Sequence, residues 1–312
     1  MPASFPESIR SLNLHDIRQW PKADLHNHGL MGGQLSAIEK FCGKKLPGFK
    51  PRLGDIQELN EWIAKVYRPV ILHYPEAFRV AIEAAFIQAK SDGVTVLEMS
   101  VDSGFGLAFN VSPMRIIAAL RQAHETIAPE MDFRPELGFI RGKSIRRLMA
   151  ESDPYLDSGF FKAVDLYDDE LSQPIKNFRE LFRFAKKQGL KCKAHAGEYG
   201  DADSVKEAVE ELDLDAVQHG IRAAESPRVM NWLADHGIQL NTCPASNICL
   251  KRVAGYKTHP IRILFDHGIK TTINTDDVMV FRSGVSEQML ELYRAGLFSA
   301  EELDVLRQYG LN

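Results

Sequence analysis

The chain has 312 residues, of which 45% are hydrophobic, and a formal net charge of −4. That length is long for one ordinary domain but common for a single α/β barrel, which often exceeds about 250 residues. The mild acidity leaves no electrostatic footprint for nucleic acid or an anionic membrane, and no run approaches the roughly 18 apolar residues of a membrane span. No apolar segment of signal-peptide type follows the start. Cys42, Cys192, Cys243 and Cys249 form no CxxC pair and are expected to be reduced packing residues of a cytoplasmic protein.

Taken in chain order, β-branched or apolar runs alternate with longer amphipathic stretches, the pattern of βα units. Strands are predicted at Ala23–His28, Val94–Val101, Phe133–Ile140, Phe161–Leu166, Lys191–His195, Ala216–His219, Gln239–Thr242 and Lys270–Asn274. Between them, helices are predicted at Pro75–Ser91, Pro113–Ile127, Asn177–Gln188, Ala202–Glu211 and Pro227–His236. Eight parallel strands close a barrel, so the expected fold is one α/β domain, a (β/α)8 TIM-type barrel over residues 1–312. The segment after the first strand, residues 29–74, is polar and carries Pro47, Gly48, Pro51 and Gly54. At the catalytic end of a barrel such an insertion is expected to be a helical lid or cap.

Four short motifs end strand-like runs: Leu25-His26-Asn27-His28, His195-Ala196-Gly197-Glu198, Gln218-His219-Gly220 and Asn274-Thr275-Asp276-Asp277. Barrel enzymes keep their chemistry at the C-terminal ends of the strands. His26 and His28 are two apart on a strand and therefore project to the same side. His195 and Asp276 add an imidazole and a carboxylate, a donor set that suits one divalent ion per chain. Zn²⁺ is expected, and Fe²⁺ or Mn²⁺ fits the same ligands. A divalent ion can lower the pKa of a bound water to about 7. Glu198, three residues beyond His195, and His219 are the candidates for proton transfer and charge stabilisation. Asp276 belongs to both groups, as ligand and as catalytic carboxylate.

This set of motifs, in this order, resembles the adenosine deaminase family of the amidohydrolase superfamily over nearly the whole chain, from Pro21 to Asn312. Cys243-Pro244-Ala245-Ser246-Asn247 is similar to the family's CPxSN segment. The resemblance implies that His26, His28, His195 and Asp276 bind the metal and that Glu198 protonates a ring nitrogen. It further implies that His219 orients or deprotonates the attacking water. Asp277 would accept a hydrogen bond from another ring nitrogen, with His28 and Asp168 also beside the substrate. The implied reaction is hydrolytic release of ammonia from an aminated purine-like heterocycle, with that small molecule and water as the partners.

Three departures from the family pattern bear on substrate. Where the family's nucleoside deaminases read Leu-Asp-Gly after the second histidine, this chain reads Gly29-Leu30-Met31, without the ribose-binding acid. Where the family reads Asp-Leu-Ala-Gly-Asp-Glu, this chain reads Asp165-Leu166-Tyr167-Asp168-Asp169-Glu170, so an acid replaces a glycine close to the ring. The family commonly continues with one more helix beyond the position of Asn312. An amidohydrolase opening a cyclic amide at the same metal is the alternative reaction. Deamination is favoured because Glu198 suits protonation of a ring nitrogen. A non-catalytic binding protein would have lost a ligand or that glutamate, and the unrelated Cys-ligated zinc deaminases carry a different motif pair.

Among the remaining features, Arg141, Lys143, Arg146 and Arg147 read as a solvated helix start. Met31, Met279 and Phe281 suit either a pocket wall or the core. Gly104-Phe105-Gly106 lacks the context of a dinucleotide loop. His73, His124, His236, His259 and His267 read as surface or packing residues.

Overall fold

The computed structural model describes residues 4–49 and 55–312. Its centre is an eight-stranded parallel sheet in sequential order. The strands are β1 Lys22–His28, β2 Val94–Asp102, β3 Asp132–Ile140 and β4 Ala163–Tyr167. They continue with β5 Lys191–Ala196, β6 Ala216–His219, β7 Gln239–Thr242 and β8 Thr271–Ile273. Helices cover the sheet from outside, and the fold is the (β/α)8 barrel that the alternating pattern predicts.

Strand ends differ from the sequence reading by one or two residues at β1, β2, β3, β4, β5 and β8. β4 starts at Ala163, because Phe161 is buried among neighbouring aromatics before pairing begins. β8 ends at Ile273; the Asn274 amide still donates to the Thr242 carbonyl at 2.9 Å, and the Asn274 side chain adds bonds across the seam. Its Oδ1 accepts the Leu25 amide at 2.8 Å, and its Nδ2 donates to the Thr242 carbonyl at 3.1 Å. The seam between β8 and β1 is completed by a bridge between Asn27 and Asp276 and by Asp24, whose carboxylate accepts from the Thr275 amide and hydroxyl. Thus Asn27, Asn274 and Thr275, each inside a chemical-looking motif, close the barrel.

The outer helices begin where small polar residues can cap them. Asp201, Ser226 and Ser144 accept from the amides three residues on, at the starts of Ala202–Leu212, Pro227–Asp235 and Ile145–Leu156. The final helix, Ala300–Leu311, opens with a reciprocal capping box between Ser299 and Glu302 and packs on β1 and β8.

The insertion after β1 is helical, with helices Leu35–Cys42, Ile56–Trp62 and Arg68–His73. A π-helical turn, Ile63–Tyr67, joins the last two. Pro51 and Gly54 lie outside the described residues. Although the segment is polar by composition, it buries Ile38, Leu59, Trp62, Tyr67 and Ile71. The Tyr67 hydroxyl donates to the Leu30 carbonyl at 2.6 Å, tying the insertion to the end of β1. Among the described residues no helix is long and apolar enough to cross a membrane.

Candidate active site

The four motifs converge at the C-terminal mouth of the barrel. His26 and His28 leave β1 on one face, with ring centroids 5.3 Å apart. His195 at the end of β5 lies 4.6 Å from His26 by the same measure, and His219 at the end of β6 lies 4.7 Å from it. Asp276 reaches the group through the seam, with Oδ1 3.2 Å from His28 Nε2 and 3.8 Å from His26 Nε2. Every residue assigned to metal or proton transfer by the sequence is therefore within one cluster.

The backbone at these strand ends is unusual. His219, Asp276 and Asp168 have φ of 63°, 60° and 79°, in the left-handed region that residues with a Cβ rarely enter. Such conformations cost of order 1–3 kcal/mol each and persist only where the surroundings enforce them. Gly197, at φ 66°, makes the tight turn between His195 and Glu198, and a Cβ there would stand 2.2 Å from Val205 Cγ2.

The cluster fits a divalent ion. The Nε2 atoms of His26 and His195 are buried and have no hydrogen-bond partner within the protein. Buried polar atoms left in that state are costly unless something takes their lone pairs. Burial and the neighbouring His195 hold His26 well below its ordinary pKa, in the neutral form that ligates. At His28, burial is outweighed by Asp276, Asp277 and Asp165, whose field holds its pKa up to about 10 and favours positive charge at this place. Donor atoms of His26, His195 and His219 lie within 4.8 Å of one another, as do those of His28, Asp276 and Asp277. Cys243 forms a third such group with His26 and Asp276, so proximity alone does not separate ligands from their neighbours His219, Asp277 and Cys243.

Glu198 lies beside this cluster, with Oε2 3.5 Å from His219 Nε2. Burial first, then the charges of Asp276 and Glu170, hold its carboxyl well above the usual range, which favours its protonated form. Burial beside Asp276 likewise raises Asp277 to about 7. Burial lowers His219 to about 3.

Several residues with clear roles at the site are absent from the motif reading. Glu170 accepts from four successive amides, those of Gly197, Glu198, Tyr199 and Gly200, at 2.7–3.1 Å, and from the Ser204 hydroxyl at 3.2 Å. This one carboxylate shapes the loop that aims Glu198; its place in the Asp-Asp-Glu run after β4 was the available signal. Hydrogen bonds to a charged group contribute about 1.5–3 kcal/mol each. Glu170→Gln, which turns one acceptor into a donor facing amides, is expected to cost at least about 2 kcal/mol of stability. With the loop displaced, turnover should fall roughly tenfold or more while metal content is unchanged. Thermal unfolding, kinetics and elemental analysis on the same preparation check this.

Asp165 Oδ2 stands 3.7 Å from His195 Nε2. Cys243, read as packing, has its Sγ 3.4 Å from His26 Nδ1. His259, also read as packing, is buried and hydrogen-bonded to Asn247, which in turn meets His219.

The mouth opens into a cavity of about 690 Å³ whose floor includes His28, His195, Glu198 and Asp276. Its walls come from the insertion, with Leu59, Asn60, Ile63 and Tyr67, and from Phe105 and Phe109 after β2. Met31 lines it, whereas Met279 is core and Phe281 packs against the core. The basic run after β3 is only partly solvated. Arg141 is buried and donates to the Gln173 carbonyl, while Lys143 lies in the cavity wall paired with Asp102 and Glu151. Asp168 lines the cavity too, and its Oδ1 accepts from Asn60 of the insertion at 2.9 Å. Its positive φ preserves the backbone path that a glycine would take, with the side chain added.

A sequence model of the family described as "Adenosine deaminase" matches residues 40–312. A putative adenosine/adenine deaminase of Treponema pallidum is 33% identical over 94% of this chain and 98% of its own length. An adenine deaminase of Rhodospirillum rubrum is 30% identical over 92% of this chain and 89% of its own. Among solved structures, adenine deaminase from Arthrobacter aurescens superposes with a TM-score of 0.76 at 23% identity, covering 93% of this chain and 98% of that one.

Proposed function

We propose residue roles and a preferred substrate from one premise: this chain belongs to the adenosine deaminase family. It is a metal-dependent hydrolase that releases ammonia from an aminated purine or related heterocycle. In our assignment His26, His28, His195 and Asp276 hold the ion, and the nitrogen- and oxygen-donor set suits zinc. When bound, the ion supplies a water acidic enough to attack at neutral pH.

The chain's own residues handle the ring and the protons. Glu198, whose protonated form burial favours, gives its proton to a ring nitrogen as the amine-bearing carbon is attacked. Asp277, with its pKa near 7, accepts from a ring N–H or, when protonated, donates to a bare ring nitrogen. Asp276 divides its work: Oδ1 faces His28 while Oδ2 faces His219 at 4.0 Å, on the proton-transfer side. His219 and Glu198 address the same small space. Residues 29–74 act as the lid, with the Asn60–Asp168 hydrogen bond as its catch over the ring site. Four cysteines without a disulfide suit a reducing cytoplasm.

The preferred substrate is a free aminated base or pterin-like ring, and adenosine is a poor one. The observation that carries this is Asp168, an acid in the cavity wall that spends one oxygen on Asn60 and can offer the other to a ring N–H. Adenine has such an N–H where adenosine has a glycosidic bond. Leu30, where the family's nucleoside deaminases place an acid, gives a ribose hydroxyl no charged partner, a loss of about 1.5–3 kcal/mol. Ammonia release from adenine, adenosine and pterins tests the assignment. Adenosine is expected to show kcat/KM below about 10⁵ M⁻¹s⁻¹, and efficient adenosine turnover would refute the preference. Asp168→Gly suits the left-handed backbone, so it should spare fold and metal while eroding the preference for the base.

A further inference from the structure

What His219 can do toward the substrate is decided on its other side. Asn247 Nδ2 lies 3.2 Å from His219 Nδ1, and Asn247 Oδ1 lies 3.2 Å from His259 Nε2. His259 Nδ1 in turn lies 3.1 Å from the backbone nitrogen of Ile261. That last group is an amide, which can only donate. His259 Nδ1 therefore accepts, its ring proton is on Nε2, and it donates to Asn247 Oδ1. The carboxamide is thereby oriented, and its Nδ2 donates to His219 Nδ1.

An amide and two imidazoles have many combined orientations; one backbone donor selects a single set. All three side chains are buried, so solvent does not compete. His26 has no such single selector, since its Nδ1 meets both the Cys243 Sγ at 3.4 Å and the Asn241 carbonyl at 3.5 Å.

We propose that the Ile261 amide, His259 and Asn247 form a relay that holds His219 as its Nε2–H tautomer. His219 then works as a hydrogen-bond donor to the attacking oxygen, and in its resting form it is neither a metal ligand nor a base. Its Nε2 faces Glu198 Oε2 and Asp276 Oδ2, so a proton there is directed at the reacting centre. A fixed donor at that place stabilises negative charge as it develops. Asn247 and His259 are positioning residues, since they act only through His219. The proposal rests on the deaminase reading above for the meaning of the reacting centre, but the tautomer itself can be measured without turnover.

The test uses zinc-loaded enzyme labelled with ¹⁵N-histidine, with the His219 signals assigned by their loss in His219→Gln. The expected spectrum has a protonated Nε2 and a bare Nδ1. Asn247→Asp, whose carboxylate only accepts, should move the proton to Nδ1. It should lower kcat about tenfold or more, with metal content unchanged and KM within about twofold. His259→Gln keeps a donor to Asn247 and should retain the tautomer and most of the turnover. His259→Leu should give mixed tautomers and a lower kcat at normal metal content. A wild-type His219 protonated at Nδ1 overturns the relay. A proton moved to Nδ1 in Asn247→Asp with turnover kept or raised overturns the donor role in favour of a base. If the expected tautomer is found but no purine releases ammonia, the relay stands and the deaminase reading falls.

Discussion

Glu198→Gln is expected to keep its metal and lose roughly 10²-fold or more of its turnover, the usual scale for a positioned acid–base group. The reason is local. Glu198 is buried, and both burial and the carboxylates of Asp276 and Glu170 favour its protonated form. Glutamine preserves the shape and the amide-held loop, since Glu170 grips the backbone of residues 197–200 rather than the Glu198 side chain. The variant therefore removes a transferable proton and little else. Elemental analysis and steady-state ammonia release on one preparation provide the check. Near-normal turnover would place the proton donor elsewhere.

His195→Ala is expected to remove metal and activity together. Among the described residues, His195 Nε2 and His26 Nε2 are the buried imidazole nitrogens without a hydrogen-bond partner, and the two rings lie 4.6 Å apart. In our assignment the substitution deletes a ligand, and it also leaves the buried carboxylate of Asp165 without the imidazole 3.7 Å away. Wild-type enzyme should carry one divalent ion per chain, and the variant well under one. Stability should fall as well, because an ion bound only by the folded chain stabilises it and is lost with the site. Full metal occupancy in active His195→Ala would show that His219 or Asp277 completes the ligand set instead. The two variants separate the roles: one loses proton transfer with the ion in place, the other loses the ion.

Two of the three departures from the family pattern, Leu30 and Asp168, were legible as chemistry and only half legible as geometry. Leu30 lines the cavity as its position after His28 implies. Asp168 also reaches the cavity, but half its accepting capacity goes to Asn60, more than a hundred residues earlier in the chain. No local pattern links those two residues. His259 shows the same limit more sharply. In the sequence it is one histidine among several without ligand-like neighbours, and only the packing of Tyr256–Asp266 against the segment Pro244–Cys249 brings it to Asn247.

The sequence by itself determined the order of the strands and which donors stand near their ends. A period of two on a strand and the chemistry of His, Asp and Glu are local properties, so the barrel and the donors gathered at its mouth, Glu198 among them, could be read directly. Only the tertiary structure decided what each of those groups is held by. It made Asn27, Asn274 and Thr275 the closure of the barrel, Glu170 the clamp on the Glu198 loop, and Asn247 with His259 the partner of His219. The physical reason is that a hydrogen bond depends on which partner atom arrives and from which direction. In a closed barrel those partners come from strands and loops remote in sequence, so the proton carried by a given imidazole is a property of the assembled mouth.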